Sequence, residues 1–183
     1  MKIVHYPHPA LRQKAAPVTT ITKELQIQVG EMLDLMYQNK GLGLAGPQVS
    51  LPQQVFVLNF EGDPEKKELE HVAINPTVLE QKGSVDDREG CLSFPELFAK
   101  VRRAKTVKVS AYNLKGDPYE MILTDLPARI WQHELDHLHG VLFIDKLGFL
   151  GRMNVKKELE QFIKEFYDAR EKGELSTDLE PKL

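Results

Sequence analysis

Apolar positions recur along this chain in two rhythms. Residues 23–39 space Leu25, Val29, Met32, Leu33 and Met36 three or four apart, the period of one helix face. Thr22 can cap that helix, and Asn39 and Lys40 before Gly41 suit its end. Residues 54–58 read as a strand, and the charged run 61–70 as a solvated loop. Further strands are expected at 72–74 and 77–81. Residues 106–112 alternate apolar and polar, as a half-buried strand does, and Lys115-Gly116-Asp117 turns the chain into a partner strand at 119–123. Thr124 or Asp125 can cap a second helix with Pro127 in its first turn and Gly140 at its end.

A last helix is expected over 153–171, with Val155, Leu159, Phe162, Ile163 and Phe166 as its stripe. Pro7, Pro9 and Pro17 break up the first segment, and 173–183 is a polar tail expected to fray. Neither a repeat nor a linker is visible. The expectation is one α+β domain over 1–172, with small antiparallel sheets packed around a central metal-binding helix and a C-terminal helix.

Composition narrows the function only a little. With 24 basic and 27 acidic side chains the formal charge is −3, which argues against broad, sequence-independent binding of nucleic acid. Cys91 is the one cysteine, so no intrachain disulfide forms, which suits a reducing compartment. The first residues lack the shape of a signal peptide and no apolar run is long enough to cross a bilayer, so the cytoplasm is expected.

The chemistry is concentrated in His133-Glu134-Leu135-Asp136-His137. Two imidazoles four residues apart on a helix share a face and can hold one metal ion, and the glutamate between them can reach a water on that ion. A catalytic site needs a third protein ligand. One route is a downstream carboxylate, Glu158 or Glu160, as in a zinc metallopeptidase. The other is Cys91, beside Gly90. Cys91 is favoured because thiolate is a strong ligand and glycine lets its backbone approach the ion. Glu158 and Glu160 lie among Lys156, Lys157 and Lys164, where solvated ion pairs explain them. Taken alone, a lone cysteine would read as a small buried hydrophobe. His139 falls about 200° around the helix from His137 and should point away from the metal. His5, His8 and His71 have no ligand spacing.

Three segments, in order, resemble the signature motifs of the peptide deformylase family. Gly41-Leu42-Gly43-Leu44-Ala45-Gly46-Pro47-Gln48 is similar to its glycine-rich G-x-G-x-A-A-x-Q stretch; Glu89-Gly90-Cys91-Leu92-Ser93 matches its E-G-C-x-S; and Gln132 to His137 matches its Q-H-E-x-D-H. One position departs. Gly46 stands where the family usually has alanine, which bears on packing or loop stiffness and removes no reacting group.

The resemblance implies that Cys91, His133 and His137 bind the metal. It implies Fe(II), although the donor set alone suits Zn, with Ni or Co as substitutes. It also implies that Glu134 moves the proton, and that the side-chain amide of Gln48 and the backbone N–H of Leu92 hold the oxyanion. Gly41, Gly43 and Gly90 would let an extended substrate approach the main chain, and Leu44, Leu92 and Ile130 are candidates for an apolar methionine slot. Asp136 is expected to orient a histidine or cap a local network. Glu89 and Arg103 are expected to form a buried pair bracing the cysteine loop, a plain surface arginine being the alternative.

The implied activity is hydrolysis of the formyl group from N-formylmethionyl nascent peptides at the ribosome exit region. Segment 152–183 carries seven basic and eight acidic residues, so it offers no basic patch for docking there. The rivals are the metallopeptidase and a non-catalytic, metal-stabilised binding module. Cys91→Ser should abolish metal binding while Glu158→Gln leaves it intact, as read by metal content after dialysis; the reverse pattern favours the peptidase.

Overall fold

The computed structural model describes residues 1–176 and 178–183. Helix α1, Lys23–Gln38, begins where Thr22 Oγ1 accepts the Leu25 N–H at 3.1 Å. It buries Leu25, Val29, Met32 and Met36, while Leu33 is half-buried. The strands are β1 (Gly43–Ala45), β2 (Val55–Asn59), β3 (Glu70–Lys82), β4 (Val85–Cys91), β5 (Phe94–Arg103), β6 (Thr106–Tyr112) and β7 (Pro118–Thr124). Five form an antiparallel sheet in the order β1-β2-β3-β6-β7, and β4 pairs antiparallel with β5 as a separate ribbon. The β6–β7 hairpin runs in register from Thr106↔Thr124 to Tyr112↔Pro118.

Every residue of β2 is buried, because both faces of the sheet are covered there. Val55 and Val57 pack with the α1 side chains, whereas Phe56 and Leu58 pack toward helix α2, Leu126–Leu138. The period of two thus divides one apolar run between two cores. On the α2 side, Trp131 is fully buried and meets Phe56 edge-on, with ring centroids 4.9 Å apart. No helix among the described residues is long and apolar enough to cross a membrane.

The structure departs from the periodicity in four places. First, the strands expected at 72–74 and 77–81 are one strand, β3, with a shift of register between Ile74 and Thr77. Asn75 at the bend has φ +50°, and its side chain exchanges two 2.8 Å hydrogen bonds with the Val18 backbone. Second, Asp125 occupies the cap position of α2 at φ +56° but makes no side-chain capping bond. Third, the helix expected over 153–171 is α4 (Lys156–Glu171), and a short helix that was not expected, α3 (Phe149–Asn154), precedes it, the two separated at Val155 (φ −104°, ψ 6°). Val155 is buried there among Tyr6, Phe94 and Phe143, and Leu159, Phe162 and Ile163 lean on the same cluster. Fourth, strands β4 and β5 occupy a stretch where none was expected. Glu89 is the one buried residue of β4, so its sequence carries no apolar rhythm. The tail runs back over the N-terminal segment, with the Lys182 N–H donating to the Pro7 carbonyl at 3.1 Å.

The departure at Gly46 has a steric basis. A Cβ there would lie 2.7 Å from the Leu51 carbonyl oxygen and 2.9 Å from that of Gln53. Both are backbone atoms, which cannot swing aside. Gly46→Ala should therefore cost about 1–3 kcal/mol in denaturant unfolding, the usual penalty of overpacking. Unchanged stability would mean that the 46–53 turn shifts freely.

Candidate metal centre and cleft

Helix α2 carries His133, Glu134 and His137 on its buried side, and β4 delivers Cys91 to the same point. The ligand atoms of Cys91, His133 and His137 all lie within 4.8 Å of one another, and Cys91 Sγ is 3.3 Å from His137 Nε2. Glu89 Oε2 sits 3.1 Å from His133 Nδ1, which directs the other ring nitrogen, Nε2, to the cluster.

Glu89 is the hub beneath this site. Its Oε1 accepts from Arg103 Nε at 2.7 Å and from Arg129 Nη1 at 2.6 Å, and its Oε2 accepts from Arg103 Nη2 at 2.8 Å. Burial alone would push this carboxyl up, but Arg103 and His133 outweigh it and hold the group well below the usual carboxylate range. Arg103 and Glu89 are thus the buried pair, with side chains 3% and 4% exposed. Arg129 also donates to the Val101 and Val85 carbonyls at 2.9 and 3.0 Å, tying α2 to both strands of the ribbon. The sequence does not single out Arg129. Its one signal is its position four residues before His133, a charge on a helix face that is otherwise buried.

Asp136 pairs with Arg103 and, at 3.2 Å, with Lys146, so it caps the network; the carboxylate that orients a histidine is Glu89. His139 is exposed, His8 Nδ1 accepts from the Ala10 N–H, and His71 packs against Phe60. Glu160 pairs with Lys156 at 3.6 Å on α4 and Glu158 is exposed, so neither belongs to the cluster.

Three groups shape the rest of the site. The Gln48 side chain is fixed at both ends, Oε1 accepting the Ala45 N–H at 2.8 Å and Nε2 lying 3.4 Å from Cys91 Sγ and 3.3 Å from Ser93 Oγ. Gly43 lets β1 pass directly beside Glu134, since a Cβ there would fall 2.5 Å from Glu134 Oε1. Glu134 Oε2 is buried without a hydrogen-bond partner among the described residues. Burial pushes the Glu134 carboxyl up to about 7, against the opposing pull of His133 and Arg103.

A metal fits these residues. Burial depresses His137 well below the ordinary imidazole range, keeping it neutral as a ligand must be. Burial acts on His133 in the same sense, but Cys91 and Glu89 oppose it and raise the group in the absence of an ion. Sulfur and two imidazoles are the donor chemistry of a first-row divalent ion.

A cavity of about 600 Å³ opens onto the cluster. Gly41, Gly43, Gln48, Gly90, Leu92, Ile130 and Glu134 all line it. Leu44 does not. It is fully buried in the α1 core, because β1 alternates and Leu44 faces the side away from the cleft. Leu42 and Leu126 line the cavity in its place.

Comparison with known proteins gives a consistent picture. Residues 1–153 match the family model described as polypeptide deformylase. The peptide deformylase of Rhodopirellula baltica is 37% identical over 178 residues, covering 97% of this chain and 88% of that protein. That of Nitrosococcus oceani is 41% identical over 161 residues, covering 88% and 95%. Among solved structures, Arabidopsis thaliana peptide deformylase 1B in complex with an inhibitor superposes with a TM-score of 0.88 at 39% identity, covering 97% of each chain. A Plasmodium falciparum peptide deformylase gives 0.88 at 39%, covering 91% of this chain and 98% of that one.

Glu89→Gln should leave two buried guanidinium groups under-compensated, at a cost of about 3–5 kcal/mol in unfolding free energy. It should also weaken metal binding by about 10–100-fold through loss of the His133 contact. A variant as stable as wild type would show that Glu89 is not the hub.

Proposed function

The chain belongs to the peptide deformylase family, and from that membership we propose how its own residues carry out the reaction. The enzyme is a metallohydrolase that removes the formyl group from the N-terminal formyl-methionine of newly made polypeptides, releasing formate. The convergence of Cys91, His133 and His137 around the buried, unpartnered carboxylate of Glu134 is the observation that carries this reading. The metallopeptidase alternative is not favoured, since its downstream glutamates lie on the exposed face of α4.

Cys91, His133 and His137 hold the ion. The resemblance supports Fe(II), while the donor set alone suits Zn, and Ni or Co are further substitutes. When bound, such an ion acidifies a coordinated water and polarises the formyl oxygen. Glu134 takes a proton as the water oxygen bonds to the formyl carbon, and gives one to the amine nitrogen as the C–N bond breaks. Its buried position beside the ligands, with Oε2 free of any hydrogen-bond partner among the described residues, suits both duties. The Gln48 Nε2–H and Leu92 N–H are preorganised for the charge that develops on the former carbonyl oxygen.

Among the described residues strand β1 is an edge of its sheet and β4 pairs only with β5, so an extended peptide can add its backbone along the cleft they flank. The methionine side chain enters the apolar wall formed by Leu92, Ile130 and Leu126. The substrate emerges at the ribosome exit, so action there, in the cytoplasm, is part of the proposal; docking through charge on α4 is not. Residues 1–172 are proposed as one catalytic domain.

The Fe(II)-loaded protein, assayed without oxygen, should release formate from formyl-Met-Ala-Ser. Glu134→Gln should lower kcat by about 10²–10⁴-fold while keeping its metal. The reading fails if wild type yields no formate, or if the variant keeps full activity.

A further inference from the structure

The outer face of the β4–β5 ribbon holds an arrangement that folding does not explain. Glu89, Leu97, Ala99, Val101 and Arg103 turn inward, while Arg88, Phe98 and Lys100 are exposed on the other side. Register pairing sets Arg88 directly across from Lys100. Like charges facing each other across a ribbon destabilise it. The Asp86↔Arg102 pair one step further out is complementary, so the ribbon does not avoid opposite charges in general. Neither Arg88 nor Lys100 has a carboxylate partner among the described residues.

Phe98 adds a second anomaly. Its side chain stands over Gly90, so closely that a Cβ on Gly90 would lie 2.5 Å from Cε1, and yet the residue is 54% exposed. The Arg88 guanidinium sits over this ring at 5.3 Å from its centroid. The stacked pair is thereby held in one place at the mouth of the cleft, which both residues line. The mouth also receives Lys40 and Glu96, whose charges oppose each other.

We propose that Arg88, anchored on Phe98, and Lys100, across the ribbon from it, are specificity-determining residues that favour substrates with acidic side chains two to four residues after the formyl-methionine. This rests on the deformylase reading and deepens it. An extended chain advances about 3.3 Å per residue, so its third and later residues pass out of the cleft along this strip. Carboxylates there supply the missing partners, and an aromatic shelf covers the apolar part of the same side chains. The overall charge of −3 makes this a local feature rather than a general affinity for polyanions.

The test compares kcat/KM for formyl-Met-Ala-Glu-Glu and formyl-Met-Ala-Lys-Lys in the same enzyme preparation, so losses common to both cancel. Wild type should prefer the acidic peptide by about fivefold or more at low salt, and the preference should shrink toward unity at high salt. The Arg88→Glu/Lys100→Glu variant should reverse it, and the milder Arg88→Gln/Lys100→Gln variant should remove most of it. A ratio near unity in wild type, or one that survives both variants, overturns the inference while leaving the deformylase reading intact. Failure of wild type to release formate from formyl-Met-Ala-Ser overturns that reading instead. If a uridine decamer binds wild type but not the charge-reversed variant while the peptide ratio stays near unity, the strip serves RNA and the proposal falls.

Discussion

Four donors converge on one buried carboxylate, that of Glu89, and the active site depends on it. Arg103 comes from β5, Arg129 and His133 from α2, and Glu89 itself from β4. A charge taken out of water at this depth is tolerable only if its partners are well placed and its lone pairs are filled. The ribbon and the helix can therefore meet in one relative position, the one that satisfies the whole set. That position sets Cys91 beside His137 and turns His133 so that its free nitrogen faces them. The network thus supplies the precision of a metal centre, whatever its net contribution to stability.

Bulk stability rests elsewhere. Strand β2 lies between α1 and α2 and gives alternate side chains to each, so both helices are held to the sheet by ordinary apolar packing around Phe56, Trp131 and Met32. The ribbon and α4 share another apolar cluster around Phe94 and Phe143. The cleft opens where β1, β4 and α2 meet, and it is lined by apolar side chains such as Leu92, Leu126 and Ile130 with a few fixed polar groups among them. Gln48 shows how this works. Its amide is held at both ends before any substrate arrives, so it needs little reorganisation in the oxyanion role proposed for it.

Legibility in the sequence followed the source of each element's stability. Helix α1 and the β6–β7 hairpin were readable because one face of each packs against an apolar core, and burial leaves a periodic trace. Strand β4 left none. It is held by pairing with β5 and by the Glu89 contacts, and both are long-range. The short helix α3 was hidden because it buries none of its residues, so its stretch carries no apolar stripe to set it apart from α4. Arg129 was hidden for another reason. A buried arginine is indistinguishable in sequence from a solvated one until its partners are located.

The sequence by itself named the inventory of the proposed reaction: the spacing of His133, Glu134 and His137 points to metal-activated hydrolysis, Cys91 is the favoured third ligand, and Gln48 enters through the family resemblance. Tertiary structure alone decided which carboxylate steers which group, since Glu89 rather than Asp136 lies against His133, and which leucines face the cleft, since Leu44 turns into the core while Leu42 and Leu126 do not. Orientation and burial are properties of how distant segments pack, and no local pattern of residues encodes them. The Gly46 departure joins both sources. The residue is plain in the sequence, but the two carbonyls that exclude a side chain there appear only once the chain has folded.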